Sequence, residues 1–121
     1  MAKETFNKAS QLEENMKKAL TEFLVLHLLS QRPYFIGELT DAMEEHSGGV
    51  LNVVFPYAAV YRMLQNEYIV EMKKRVAPDG RRRQYYTITE EGRVRLASMT
   101  NDYTRFIQGV DKVLNWKEPT E

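Results

Sequence analysis

Residues 77–93 read Ala77-Pro78-Asp79-Gly80-Arg81-Arg82-Arg83-Gln84-Tyr85-Tyr86-Thr87-Ile88-Thr89-Glu90-Glu91-Gly92-Arg93. Pro-Asp-Gly is a turn sequence: proline presets φ, aspartate bonds back to the backbone and glycine admits positive φ. Before it, Ile69 to Val76 is rich in β-formers, and after it Gln84 to Ile88 supplies a matching strand, so the segment predicts a two-stranded hairpin. Thr89 is a natural N-cap, and Glu90 and Glu91 suit a helix N-terminus, so a helix is predicted to begin there.

The hairpin is also where the charge collects. Lys73, Lys74, Arg75, Arg81, Arg82 and Arg83 face only Glu71 and Asp79, so residues 71–83 carry +4. With 17 basic and 17 acidic residues in the chain, the remainder carries −4. The whole molecule therefore has no general attraction for a polyanion, and any such attraction is local. A basic run is ordinarily a solvated surface; its setting on a short, exposed ribbon beside a helix is what points to phosphates.

Upstream, Ala9, Leu12, Met16, Ala19, Phe23 and Leu26 recur at helical spacing, and Ser10 with Glu13 forms a capping-box pattern. From Ala19 to Leu29 the apolar surface widens to a central core helix, which Pro33 stops. A second helix is predicted over Phe35 to His46, with Ile36, Leu39, Ala42 and Met43 inward, ended by Ser47-Gly48-Gly49. Val50 to Phe55 reads as extended or irregular. Pro56 suits the first turn of a third helix, from about Tyr57 to Asn66. Downstream, Leu96, Met99, Tyr103, Phe106, Val110 and Val113 repeat the helical spacing as a lengthwise seam.

Three helices followed by a hairpin is the order of a winged helix-turn-helix, in which the third helix enters the major groove and the wing lies along the backbone or minor groove. The fold class expected is mostly α with a small β-hairpin, a winged helix-turn-helix with a long C-terminal dimerisation helix. Its parts are a DNA-binding region over 1–90, the C-terminal helix over 91–116 and a frayed tail over 117–121.

With this order, the residues resemble the PadR family of bacterial transcriptional regulators, over roughly Lys17 to Leu114. The strongest match is Gly80 to Gly92, which looks like the family's basic wing, tyrosine strand, threonine cap and Glu-Glu-Gly helix start. Tyr61-Arg62-Met63-Leu64 resembles its recognition-helix Tyr-x-x-Leu element, and Leu20 to Leu26 its first core helix. Phe35-Ile36-Gly37-Glu38-Leu39 stands where the family typically has Tyr-Gly-Tyr-Glu-Ile. Tyr68 stands where a glycine usually follows the recognition helix, so either Asn66 takes the left-handed geometry or the turn shifts by a residue. The resemblance implies a homodimer held by the first and last helices, and permits a hydrophobic or phenolic effector at the interface.

The expected DNA-binding residues are Tyr57, Ala58, Tyr61 and Arg62 on the third helix, with Lys73, Lys74, Arg81, Arg82 and Arg83 on the wing. Arginine can bind guanine O6 and N7 bidentately, tyrosine hydroxyls reach phosphate and Ala58 can meet a thymine methyl. Val60 and Leu64 should point inward. Because side chains alternate along a strand, the reading favours Arg81 and Arg83, supported by Lys73 and Lys74, over Arg82. The expected dimer interface is Leu12, Met16, Phe23, Leu96, Met99, Tyr103, Phe106, Val110 and Val113; packing within one core is the bland alternative. Phe6, Met16, Tyr103, Phe106 and Trp116 are the candidate lining of an aromatic effector pocket.

The expected function is a sequence-specific, DNA-binding transcriptional regulator, a repressor by occupancy. Its partners are double-stranded DNA, a second copy and a small aromatic or hydrophobic ligand. The rival reading is a winged helix that binds protein instead. An enzyme is disfavoured: the chain has no cysteine and two histidines, His27 within a leucine-rich helix and His46 near a helix end, and no motif pairs a nucleophile with a base. No cofactor or metal is expected. The absence of cysteine and of an apolar leader points to a cytoplasmic address with no membrane association.

Overall fold

The computed structural model describes residues 10–53 and 56–120. Expectations resting on Phe6, Ala9, Val54 and Phe55 fall outside the described residues. The architecture is mostly α-helical with a small β-hairpin, a winged helix-turn-helix followed by a long C-terminal helix.

Helix α1 (Gln11–Gln31) opens on the expected capping box. Ser10 Oγ accepts from the Glu13 amide at 3.0 Å, and Glu13 Oε1 accepts from the Ser10 amide at 3.4 Å. Arg32 is already extended, and Pro33 prevents continuation. Tyr34 then makes a single antiparallel bridge: its amide donates to the Tyr86 carbonyl at 3.2 Å and its carbonyl accepts from the Tyr86 amide at 2.9 Å. This one-residue strand was not foreseen; one extended residue after a proline carries no strand periodicity.

Helix α2 (Ile36–His46) buries Leu39, Ala42 and Met43. Phe35 caps it rather than belonging to it, and Ile36 is only half-buried. Gly48 and Gly49, both at positive φ, end it. Helix α3 (Tyr57–Gln65) buries Ala59, Val60 and Met63 and half-buries Leu64; Pro56 stands at its N-cap, one residue ahead of the expected place.

The turn after α3 settles the choice left open by the missing glycine. Glu67, not Asn66, is left-handed, with φ of 63°. Its amide donates to the Leu64 carbonyl at 3.1 Å and the Tyr68 amide donates to the Met63 carbonyl at 2.9 Å, the paired bonds of a Schellman motif. A side chain in this conformation is strained by about 1 kcal/mol. Glu67→Gly is expected to stabilise the fold by about 0.5 kcal/mol, part of the relief being offset by the greater freedom of unfolded glycine; urea denaturation checks the sign.

The hairpin comprises β1 (Ile69–Glu71), β2 (Arg75–Val76), β3 (Arg82–Arg83) and β4 (Tyr86–Ile88). Ile69 pairs with Ile88 and Glu71 with Tyr86; Arg75 pairs with Arg83 and Val76 with Arg82. Met72, Lys73 and Lys74 on one side oppose only Gln84 and Tyr85 on the other, so the expected continuous strands are broken by a bulge. The break re-aims the outer half of the ribbon.

Helix α4 (Glu90–Asn115) is capped as expected: Thr89 Oγ1 accepts from the Gly92 amide at 2.9 Å and donates to the Glu67 carbonyl at 2.7 Å. That second bond ties the start of α4 to the end of α3. The core joins Val25, Leu26 and Leu29 of α1 to Leu39, Met43, Val60, Met63, Ile69, Tyr86 and Ile88. Each such buried aliphatic or aromatic side chain contributes about 1.5–3 kcal/mol. Among the described residues no helix is long and apolar enough to cross a membrane.

Candidate nucleic-acid interface

The buried stripe of α3 decides which of its residues face out. With Ala59, Val60 and Met63 inward, the 3.6-residue period leaves Tyr57, Ala58, Tyr61 and Arg62 exposed. Tyr57 and Tyr61 expose 61% and 63% of their surface, more than a packing role would leave. The Arg62 guanidinium meets the Glu22 carboxylate of α1, Nε to Oε2 at 3.5 Å.

The wing tip is a tight turn. The Gly80 amide donates to the Ala77 carbonyl at 2.9 Å, and the Ala77 amide to the Arg81 carbonyl at 2.8 Å. Gly80, with φ of 84°, takes the left-handed corner of this three-residue loop. Asp79 organises both sides: Oδ1 accepts from the Arg81 amide at 3.0 Å, and Oδ2 accepts from Arg83 Nη2 at 2.6 Å and Nε at 3.2 Å. The Arg83 hydrogen bonds, then the Arg81 amide, hold the Asp79 carboxyl below its ordinary range.

The three arginines therefore differ. Arg83 is bound to Asp79 and lies 5.0 Å over the Phe35 ring, whereas Arg81 and Arg82 are exposed. The Asp79 contact that sets Arg83 apart is unreadable from strand alternation. Lys73, Lys74, Arg81 and Arg82 form no ion pair among the described residues.

Sequence reasoning missed the clamp that orients the ribbon. Arg75 lies 3.9 Å over the Tyr85 ring, and Tyr85 meets Phe35 edge-on at 5.5 Å, locking the wing base to the start of α2. Phe35 standing in a tyrosine place was the available signal. The Tyr86 hydroxyl is pushed up in pKa by burial first and then by the Glu71 charge. Phe35, Ile36, Gly37, Tyr57, Arg83, Gln84 and Tyr86 border one open hollow of about 440 Å³, so the start of α3, the start of α2 and the wing share one side of the molecule.

The long apolar seams divide. Leu96 and Met99 pack against the protein's own core, and Phe23 meets Tyr103 with ring centroids 5.4 Å apart. Leu12, Met16, Tyr103, Phe106, Val110 and Val113 remain exposed, Phe106 and Val113 by more than 70%. Between α1 and α4 lies an open groove of about 470 Å³ lined by Met16, Leu20, Phe23, Met99, Tyr103 and Phe106 among others. Trp116 is not part of that lining: it caps the far end of α4, about 15 Å beyond Phe106 at 1.5 Å per residue.

The sequence model of the Transcriptional regulator PadR-like family matches residues 25–98, the span from the core of α1 to the first turns of α4. A search of curated proteins finds no match. Among solved structures, a Streptococcus transcriptional regulator is 25% identical with a TM-score of 0.71, covering 88% of this chain and 100% of its own. A PadR-like transcriptional regulator from Bacillus cereus is 24% identical with a TM-score of 0.73, covering 85% and 99%. A transcriptional regulator from Clostridium thermocellum is 20% identical with a TM-score of 0.70, covering 81% and 96%. The basic wing, the Thr89 cap with its close-packed Gly92 and the exposed α3 thus sit on a fold shared almost end to end with these regulators, and the chain belongs to the PadR-like family of transcriptional regulators.

Proposed function

We propose that the protein is a sequence-specific DNA-binding repressor that acts as a homodimer and is released by a small apolar or aromatic effector. The observation that carries the reading is the shared side: an exposed helix bearing Tyr57, Ala58, Tyr61 and Arg62 next to a ribbon bearing the exposed cations Lys73, Lys74, Arg81 and Arg82. Phosphate contacts position such a protein, and base contacts specify its site. Two copies of α3 would enter neighbouring major grooves about 34–36 Å apart. A small dimer seated on a promoter regulates most simply by blocking polymerase.

A mobility-shift assay on the DNA upstream of the protein's own gene tests this. Steep salt dependence with sequence preference supports the regulator; no shift at low salt favours a winged helix that binds protein. The effector part has its own test, since the α1–α4 groove falls within the 300–1,000 Å³ range of ligand sites. Flat aromatic compounds added to the preformed complex should release the DNA.

The exposed part of the α4 seam supports the dimer, because contiguous apolar surface of this kind marks an interaction site and two-fold pairing is the most economical cover. Changing Phe106 and Val113 together to glutamate is expected to raise the dimer dissociation constant roughly 100-fold, as for central apolar anchors. Thermal stability of the monomer should barely move, since both side chains are exposed. Sedimentation at micromolar concentration reads the outcome; an unshifted dimer rejects the α4 seam as the interface.

A further inference from the structure

We infer that Glu22 is a specificity-determining positioning residue: it holds Arg62 in a base-reading pose and denies that arginine to the phosphate backbone. The inference rests on the DNA-binding reading above and concerns a residue of α1 that touches no DNA itself. Glu22 stands one turn before Val25 and Leu26, both fully buried, so its backbone is fixed by the core. Its side chain is only 19% exposed, whereas that of Arg62 is 59% exposed. The carboxylate is thus seated on the scaffold and the guanidinium projects from it, the arrangement in which a supporting residue orients a recognition residue.

Two consequences follow from chemistry. Glu22 approaches the guanidinium at Nε, 3.5 Å from its Oε2. The Nη1 and Nη2 donors are the end of the planar fork that can address guanine O6 and N7 together. An ion pair this exposed adds little to fold stability, so its main effect is on the direction of the side chain. The carboxylate also cancels the local charge and repels phosphate, which weakens every site where Arg62 would act only as a cation. Lys73, Lys74, Arg81 and Arg82 form no such pair among the described residues, so the cations divide into anchors on the wing and one neutralised reader on α3.

Selection from a randomised duplex library, followed by binding to duplexes with single base changes, tests the division in the intact chain and in Glu22→Ala, Glu22→Gln, Arg62→Ala and Glu22→Ala/Arg62→Ala. In the intact chain one base per half-site should be preferred through Arg62, and Arg62→Ala should reduce that preference about ten-fold or more. Glu22→Ala should relax preference at the same position, add nothing when combined with Arg62→Ala, and strengthen binding to random DNA with a salt slope steeper by about one per copy. Glu22→Gln keeps the volume without the charge and should likewise strengthen binding to random DNA. The inference is overturned if both Glu22 variants keep the original preference, if they weaken all duplexes evenly, or if Arg62→Ala changes preference nowhere. In each case persisting sensitivity to the wing variants described below leaves DNA binding itself intact, whereas an intact chain that shifts no duplex at low salt removes both.

Discussion

Replacing Arg81 and Arg82 together by alanine is expected to lower affinity for every duplex, preferred or not, while leaving the order of preference among sequences unchanged. Each cation placed at a phosphate releases condensed counterions, and losing one contact reduces the slope of log Kobs against log salt by about one. A two-fold dimer presents each residue twice, so the slope should fall by up to about four, and affinity at moderate salt by about ten-fold per contact. Arg83→Ala provides the comparison. Its guanidinium is held by Asp79 at 2.6 Å and stacks over Phe35, so its loss should move the slope less and disturb the wing more. Titrations at four or five salt concentrations separate the two; equal slopes for intact and doubly substituted protein would remove the wing from the interface.

The second large effect concerns Gly92. A Cβ added there would lie 2.0 Å from the Tyr68 carbonyl oxygen and 2.7 Å from Ile88 Cγ1. The oxygen cannot retreat, because it accepts the Thr89 amide at 3.0 Å within the junction that joins α3, β1 and α4. Gly92→Ala is therefore expected to destabilise the protein by about 3 kcal/mol, at the upper end of overpacking costs. Gly109→Ala on the same helix has nothing within 4 Å of the new methyl group, and should instead stabilise by about 0.8 kcal/mol through helix propensity. Opposite signs for the same substitution on one helix isolate the packing contribution. Urea denaturation of both variants measures it, and a Gly92→Ala protein as stable as the parent would show that the junction yields.

Much of this was legible in the residues. Ser10 with Glu13, Pro33, Ser47-Gly48-Gly49, Pro-Asp-Gly and Thr89 are local signals whose partners lie within four residues, and each marks the boundary it was expected to mark. The inward stripe of α3 was readable in part: Val60 is buried and Leu64 half-buried as expected, while Ala59 and Met63 complete the buried stripe without having been singled out. The left-handed residue after α3 was less so: losing the usual glycine moved the strain to Glu67, and local sequence offered Asn66 equally well.

What the chain alone determined is the order of its elements, the faces they bury and the placing of its positive charge on one ribbon, because propensity, capping and periodicity act over a few bonds. Only the tertiary structure decided that Arg83 is bound while Arg81 and Arg82 are exposed, that Glu22 meets Arg62 across 40 residues of sequence, and that Leu96 and Met99 join the core while Phe106 and Val113 stay exposed. Those outcomes depend on a bulge, on side-chain reach and on where one helix outruns the body it packs against. They are distances between groups far apart along the chain, and no local pattern carries a distance.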